Sequence, residues 1–147
     1  MKALTLLTFF CLALSAQARI GETLDECIKR YGEPAQRPLP KTLLFHKSGI
    51  AITCFFVDGL CVNLSYKKIA PATRFNEREV EILRMANGSK WQVWQPGSYS
   101  PSICWRNEIC ECLWDRQQGL LQFETLAEKQ RKAAEKRAEE KKLLEGF

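Results

Sequence analysis

Between Thr23 and Tyr31 the apolar residues fall at Leu24, Cys27, Ile28 and Tyr31, the i, i+3, i+4, i+7 spacing of one helical face. Thr23 and Glu26 stand three apart as a capping box, able to satisfy each other's backbone N–H groups at a helix start. Gly32 suits the left-handed position that ends a helix, and Pro34 forbids its continuation. A helix with Cys27 turned inward is therefore expected.

After the connector QRPLP the period changes to two. TLLFHKSG, IAITCFFVDG and LCVNLSYKK read as three strands, with turns at Ser48-Gly49 and Asp58-Gly59. A two-residue turn at Asp58-Gly59 pairs Val57 with Leu60. That register places Phe55, Val57, Leu60, Val62, Leu64 and Tyr66 on one face, expected as the core face under the first helix. Ile52, Cys54, Phe56, Cys61, Asn63 and Ser65 share the other.

The same sequence of signals then repeats. Asn76 and Glu79 form a second capping box, Phe75 can staple against Val80, and Asn87-Gly88 stops the helix. Val80, Leu83 and either Ile82 or Ala86 are expected to face inward. KWQVWQPG, SICWRNE, ICECLWDRQQG and LLQFETL suggest three or four further strands. The fold class is α+β, with helices packed on antiparallel β-meanders, and the order suggests a duplicated α-β-β-β unit. From Leu126 the chain is rich in Ala, Glu and Lys without a heptad of apolar residues, which reads as a solvated, charged C-terminal helix.

The first eighteen residues, MKALTLLTFFCLALSAQA, have the order of a secretory signal: a lysine, an apolar run too short to span a bilayer, and Ala16-Gln17-Ala18 as cleavage site. Three segments are thus expected: signal peptide 1–18, α+β domain 19–125 and charged tail 126–147. Phe9 and Phe10 before Cys11 do not suit a lipobox, so no membrane anchor is expected, and the location is periplasmic or secreted. The net charge of +5 becomes +4 when Lys2 leaves with the leader, a mild and dispersed excess that argues against nucleic acid as a partner.

Of seven cysteines, Cys11 leaves with the leader; Cys27, Cys54, Cys61, Cys104, Cys110 and Cys112 remain as disulfide candidates. Cys54 and Cys61 lie diagonally across one hairpin, while Cys110 and Cys112 are too close along one strand for an unstrained bridge. A turn at Asn107-Glu108 would pair Trp105 with Cys110 and Ile103 with Cys112. Those four would share the apolar face with Trp114, and Cys104 would lie opposite with Arg106 and Glu111. Trp105 and Trp114 are expected in the core, with Trp91 and Trp94 open.

No catalytic residue, metal or cofactor is expected. His46 is the only histidine and reads as a surface or edge residue. There is no C-x-x-C, and G-x-S-x-G is absent. The acids Asp25 and Glu26 suit a helix N-terminus. The non-core face, carrying Ile52, Phe56 and Asn63, is semi-apolar and is the expected binding surface. These residues suggest an exported, non-enzymatic protein-interaction domain with an envelope or extracellular protein as partner; the alternative is a small periplasmic ligand-binding protein or hydrolase.

Gly21, Thr23, Gly32 and Pro34, followed by Phe56-Val57-Asp58-Gly59, resemble the opening motif and hairpin turn of the BamE/SmpA-like proteins, in the superfamily of beta-lactamase-inhibitor-protein-like folds. The resemblance spans Gly21 to about Lys67 and extends to a group of exported bacterial proteins whose second helix ends near ANGSKW. It implies tandem helix-plus-meander units that present a sheet face to a partner protein. It implies no catalytic residue.

Overall fold

The computed structural model describes residues 19–94 and 101–145. Residues 1–18, expected as a signal peptide and containing Cys11 and Ala16-Gln17-Ala18, lie outside the described residues, as do Gln95–Gly97 of the KWQVWQPG stretch and Phe147.

Three helices and eight strands follow in the order α1 (Leu24–Tyr31), β1 (Gln36–Leu39), β2 (Thr42–Lys47), β3 (Ile50–Val57), β4 (Leu60–Lys68), α2 (Glu77–Ala86), β5 (Gln92–Val93), β6 (Ser102–Arg106), β7 (Cys110–Asp115), β8 (Leu120–Thr125) and α3 (Leu126–Glu145). All strands join one antiparallel sheet in the order β1-β2-β3-β4-β8-β7-β6-β5. The fold is α+β. Each half is a helix followed by four strands rather than three, and the two meanders meet where β4 pairs with β8. The strand not expected is β1, within the QRPLP stretch, which with β5 forms the two edges of the sheet.

Both capping boxes form. Glu26 N donates to Thr23 Oγ1 at 3.4 Å and Thr23 N to Glu26 Oε2 at 2.8 Å. At α2, Glu79 N donates to Asn76 Oδ1 at 2.9 Å and Asn76 N to Glu79 Oε2 at 2.8 Å. Cys27 and Tyr31 of α1 are buried, with Leu24 and Ile28 packed beside them; Val80 and Ala86 of α2 are buried, whereas Ile82 is exposed. Gly32 ends α1 at φ +89°, ψ −169°, a region open to glycine alone. Asp58-Gly59 and Ser48-Gly49 form two-residue turns with positive φ at both positions, so Val57 pairs with Leu60 and Lys47 with Ile50.

The core face differs from the one expected. Phe56 pairs with Cys61 and Phe55 with Asn63, which leaves Val62 as the extra residue of a β-bulge. One inserted residue sends every later side chain of the strand to the opposite face. Leu64 and Tyr66 therefore join Ile52, Cys54, Phe56 and Cys61 in the core, while Phe55 and Asn63 lie on the outer face. α1 packs on this corrected face, with Tyr31 and Phe45 ring centroids 5.3 Å apart.

In the second half the register slips by two but the faces hold. Trp105 pairs with Cys112 and Ile103 with Trp114, not with Cys110 and Cys112. The cause is Asn107, whose Oδ1 accepts from Ile109 N at 3.0 Å and Cys110 N at 2.8 Å, lengthening the turn. Trp114 is buried and Trp105 packs half-buried against the core. Trp91 also joins, its ring 6.0 Å from Phe123 and its Nε1 donating to the Arg84 and Gly88 carbonyls.

α3 is a continuous helix, capped where Glu128 N donates to Thr125 Oγ1 at 3.1 Å. Lys129 reaches Glu111, and Lys132 lies 2.6 Å from Glu124, so its first turns sit against the outer sheet face. Beyond Lys132 it is exposed and carries i,i+4 pairs such as Lys136–Glu140 and Lys141–Glu145. Among the described residues no helix is long and apolar enough to cross a membrane.

Candidate functional site

Ile52, Phe56 and Asn63 do not form one surface. Ile52 and Phe56 are 3 % and 8 % exposed and belong to the core under α1. Asn63 stands on the other side of the sheet, turned there by the bulge at Val62.

Asn63 instead joins a polar network. Its Nδ2 donates to Glu124 Oε1 at 3.4 Å, and Gln122 Nε2 donates to its Oδ1 at 3.4 Å. Glu124 meets Lys132, and next to it Glu111 is held between Arg106 and Lys129. Burial pushes the Glu111 carboxyl up, but the hydrogen bonds from Lys129 and Arg106 outweigh it and hold the group below the usual carboxylate range. Cys104, half-buried on this face, has its thiol pushed up by burial and by Glu111. These groups largely satisfy one another, so the network anchors α3 to the sheet.

The concave, apolar surface lies elsewhere, at the β1 edge. An open groove of about 460 Å³ runs between the start of α1 and the β1–β2 hairpin. Leu24, Pro38, Leu39, Leu43 and Phe56 form its walls, and Arg37 and Lys41 stand along it with no acidic residue in the lining. Leu39 is 67 % exposed and Leu60, nearby on the Asp58-Gly59 turn, 45 %. The hairpin tip is pinned: Lys41 holds φ +64°, unusual for a side-chain-bearing residue, while its carbonyl accepts from Phe56 N at 2.8 Å. The groove is thus pre-formed rather than assembled by a loose loop.

Sequence reasoning missed this groove because QRPLP reads as a connector. Proline is tolerated on an edge strand, where a missing donor breaks no interior ladder. The available signal was an isolated leucine between two prolines flanked by cations, Arg37-Pro38-Leu39-Pro40-Lys41.

A second concavity of about 290 Å³ lies between α2 and strands β6 and β7. Its own arginines cover its aromatic walls: Arg84 lies 4.8 Å from the Trp105 ring centroid and Arg116 4.7 Å from that of Trp114. Trp94, exposed at the far edge, carries Arg106 at 4.2 Å. His46 is exposed at the end of β2. Among the described residues no group of three or more His, Cys, Asp or Glu side chains is placed to hold a metal ion, the core cysteines included.

The six cysteines separate into three sets. Cys27, Cys54 and Cys61 meet in the core; Cys110 and Cys112 are buried two apart on β7; Cys104 stands on the opposite face. All are free thiols in this structure. Burial pushes the Cys110 thiol up to about 12.

Comparison of the chain with protein-family models, curated proteins and solved structures gives no match.

Proposed function

We propose that this chain is an exported, non-enzymatic protein-interaction domain, and that the groove beside β1 takes a segment of an envelope or extracellular protein. The observation that carries this reading is the groove itself, pre-formed and apolar in its walls, with Arg37 and Lys41 as its charged lining residues. The matching segment carries a bulky apolar side chain flanked by Asp or Glu. The apolar group fills the space between Leu24, Leu39 and Phe56, and the acids meet Arg37 and Lys41. Recognition is by side chains more than by strand addition, because Pro38 removes a backbone donor from the edge.

The apolar leader and the six remaining cysteines support a periplasmic or secreted location. The resemblance of the opening motif to BamE/SmpA-like proteins supports a partner that is itself a protein, although the surface favoured here is the groove rather than the sheet face.

The test is a photo-crosslinking amino acid placed at Leu39 in the exported protein, with exposed Glu139 as a remote control position. A discrete adduct from position 39, absent from position 139 and lost with Lys41→Glu, is the expected result. Equal labelling at both positions, no protein adduct, or capture of a small molecule only would overturn the reading.

A further inference from the structure

We propose that Cys27 and Cys54 form a buried disulfide pinning α1 to β3, with Cys61 held beside it as a third, unpaired thiol. The pairing does not depend on what the groove binds.

The fold itself excludes most of the possible pairings. Cys104 lies across the sheet from the other five, since it pairs with Leu113 on the outer face while Cys112 and Cys110 point into the core. Cys110 and Cys112 are neighbours on one face of a single strand, where a bridge would distort both the strand and the disulfide. Among the described residues, α1 is where buried cysteines from different elements come together. Cys27 of α1, Cys54 of β3 and Cys61 of β4 are each at most 1 % exposed. α1 starts at β4, where Thr23 bridges to Leu60, and ends over β2, where Tyr31 packs on Phe45, so its midpoint at Cys27 crosses β3 and faces Cys54 with Cys61 alongside.

Within this triad the partners are not equivalent. Cys61 donates its S–H to the Asn63 carbonyl at 3.3 Å, a bond made possible by the bulge that carries Asn63 to the outer face. Cys54 and Cys61 are diagonal across the hairpin, a span of about 7–8 Å that sits at the limit of disulfide geometry. Cys27 approaches from a separate layer, so no strand register restrains it.

The chemistry balances as two exchanges with a small-molecule disulfide, such as oxidised glutathione. The Cys27 thiolate attacks the donor disulfide; a Cys27–donor bond forms and one donor thiolate leaves. The Cys54 thiolate then attacks the Cys27 sulfur, the mixed bond breaks, and the second donor thiolate departs. The donor disulfide is reduced to two thiols, and the two cysteine protons pass to solvent or to those leaving groups. Burial closes the triad to reagents once α1 has docked, so oxidation belongs to folding.

The full chain, denatured and reduced, is refolded with oxidised glutathione, alkylated under denaturing conditions and digested with trypsin plus an Asp-directed protease. Cleavage before Asp58 separates Cys54 from Cys61. The expected result is one dominant linked pair of fragments carrying Cys27 and Cys54, with Cys61 alkylated, and the same link in Cys61→Ala. The oxidised protein should also melt on the order of 10 °C above the reduced one. Links that run to Cys61, Cys11 or the cysteines of the second half, or alkylation of every cysteine without prior reduction, would overturn the proposal.

Discussion

The backbone N–H of Ile20 donates to the side-chain oxygen of Asn87 at 2.9 Å, joining the start of the domain to the end of its second helix. The same amide reaches Tyr66 Oη at 3.3 Å and the Leu83 carbonyl at 2.8 Å through its nitrogen. Asn87 is 3 % exposed, so losing its side chain leaves the buried Ile20 N–H without this acceptor. Asn87→Ala is expected to cost about 1–3 kcal/mol, the range for orphaning a buried polar group. A urea melt within 0.5 kcal/mol of wild type, an order of magnitude set by ordinary surface substitutions, would show that residues 19–22 do not depend on this link.

Gly32 separates backbone strain from crowding. A Cβ there would meet no atom within 4 Å, yet its φ of +89° is disfavoured for any L side chain. Gly32→Ala should therefore destabilise the domain by about 1–2 kcal/mol. Leu24→Ala, at a half-buried position, should fall below the roughly 2–5 kcal/mol of a fully buried leucine. Denaturant melts of both variants check this.

Two truncations divide α3. Ending the chain after Thr125 leaves the domain folded but removes Lys129 and Lys132 from Glu111 and Glu124, and a loss of about 1–2 kcal/mol is expected from partly buried pairs. Ending it after Lys132 keeps those pairs and deletes only exposed helix, so the melting temperature should not move. A large drop with the longer chain would mean that the distal helix packs.

The base of α3 should loosen in acid. Glu128 is held below the usual carboxylate range by its hydrogen bonds with Arg131 against the opposing effect of burial, and Glu111 is lowered on balance as well. A carboxylate depressed in the folded state stabilises it fully above the unfolded value of about 4.3, and that stabilisation is lost as pH falls through the folded value. Melting temperature should thus be flat from neutral pH to about 5 and fall below it. Glu111→Gln should flatten part of the fall. A profile unchanged by that substitution would locate the acid sensitivity elsewhere.

Local signals in this chain were legible because they need few residues. Thr23–Glu26, Asn76–Glu79 and Asp58-Gly59 each fold as their spacing dictates. The choice of core face was not legible, since it turns on the bulge at Val62. Alternation alone cannot distinguish a strand that keeps step from one that skips, and Phe55 and Phe56 offer the core equal bulk. The same limit hid the groove, whose walls come from α1, β1, β2 and β3 and meet only in the tertiary fold. Both the misplaced trio of Ile52, Phe56 and Asn63 and the overlooked Leu39 follow from that.

The seam between β4 and β8 also governs the order in which the chain can become safe. Residues 63–67 wait for partners at 120–124, about half the domain later in the sequence. Such distant pairing raises contact order and slows folding. As the chain emerges from its N-terminus, the first meander is complete while β4 still offers an open edge flanked by Leu64 and Tyr66. β8 closes that edge only when the last strand arrives, so a chain stopped before Leu120 is expected to aggregate rather than persist as a half-domain.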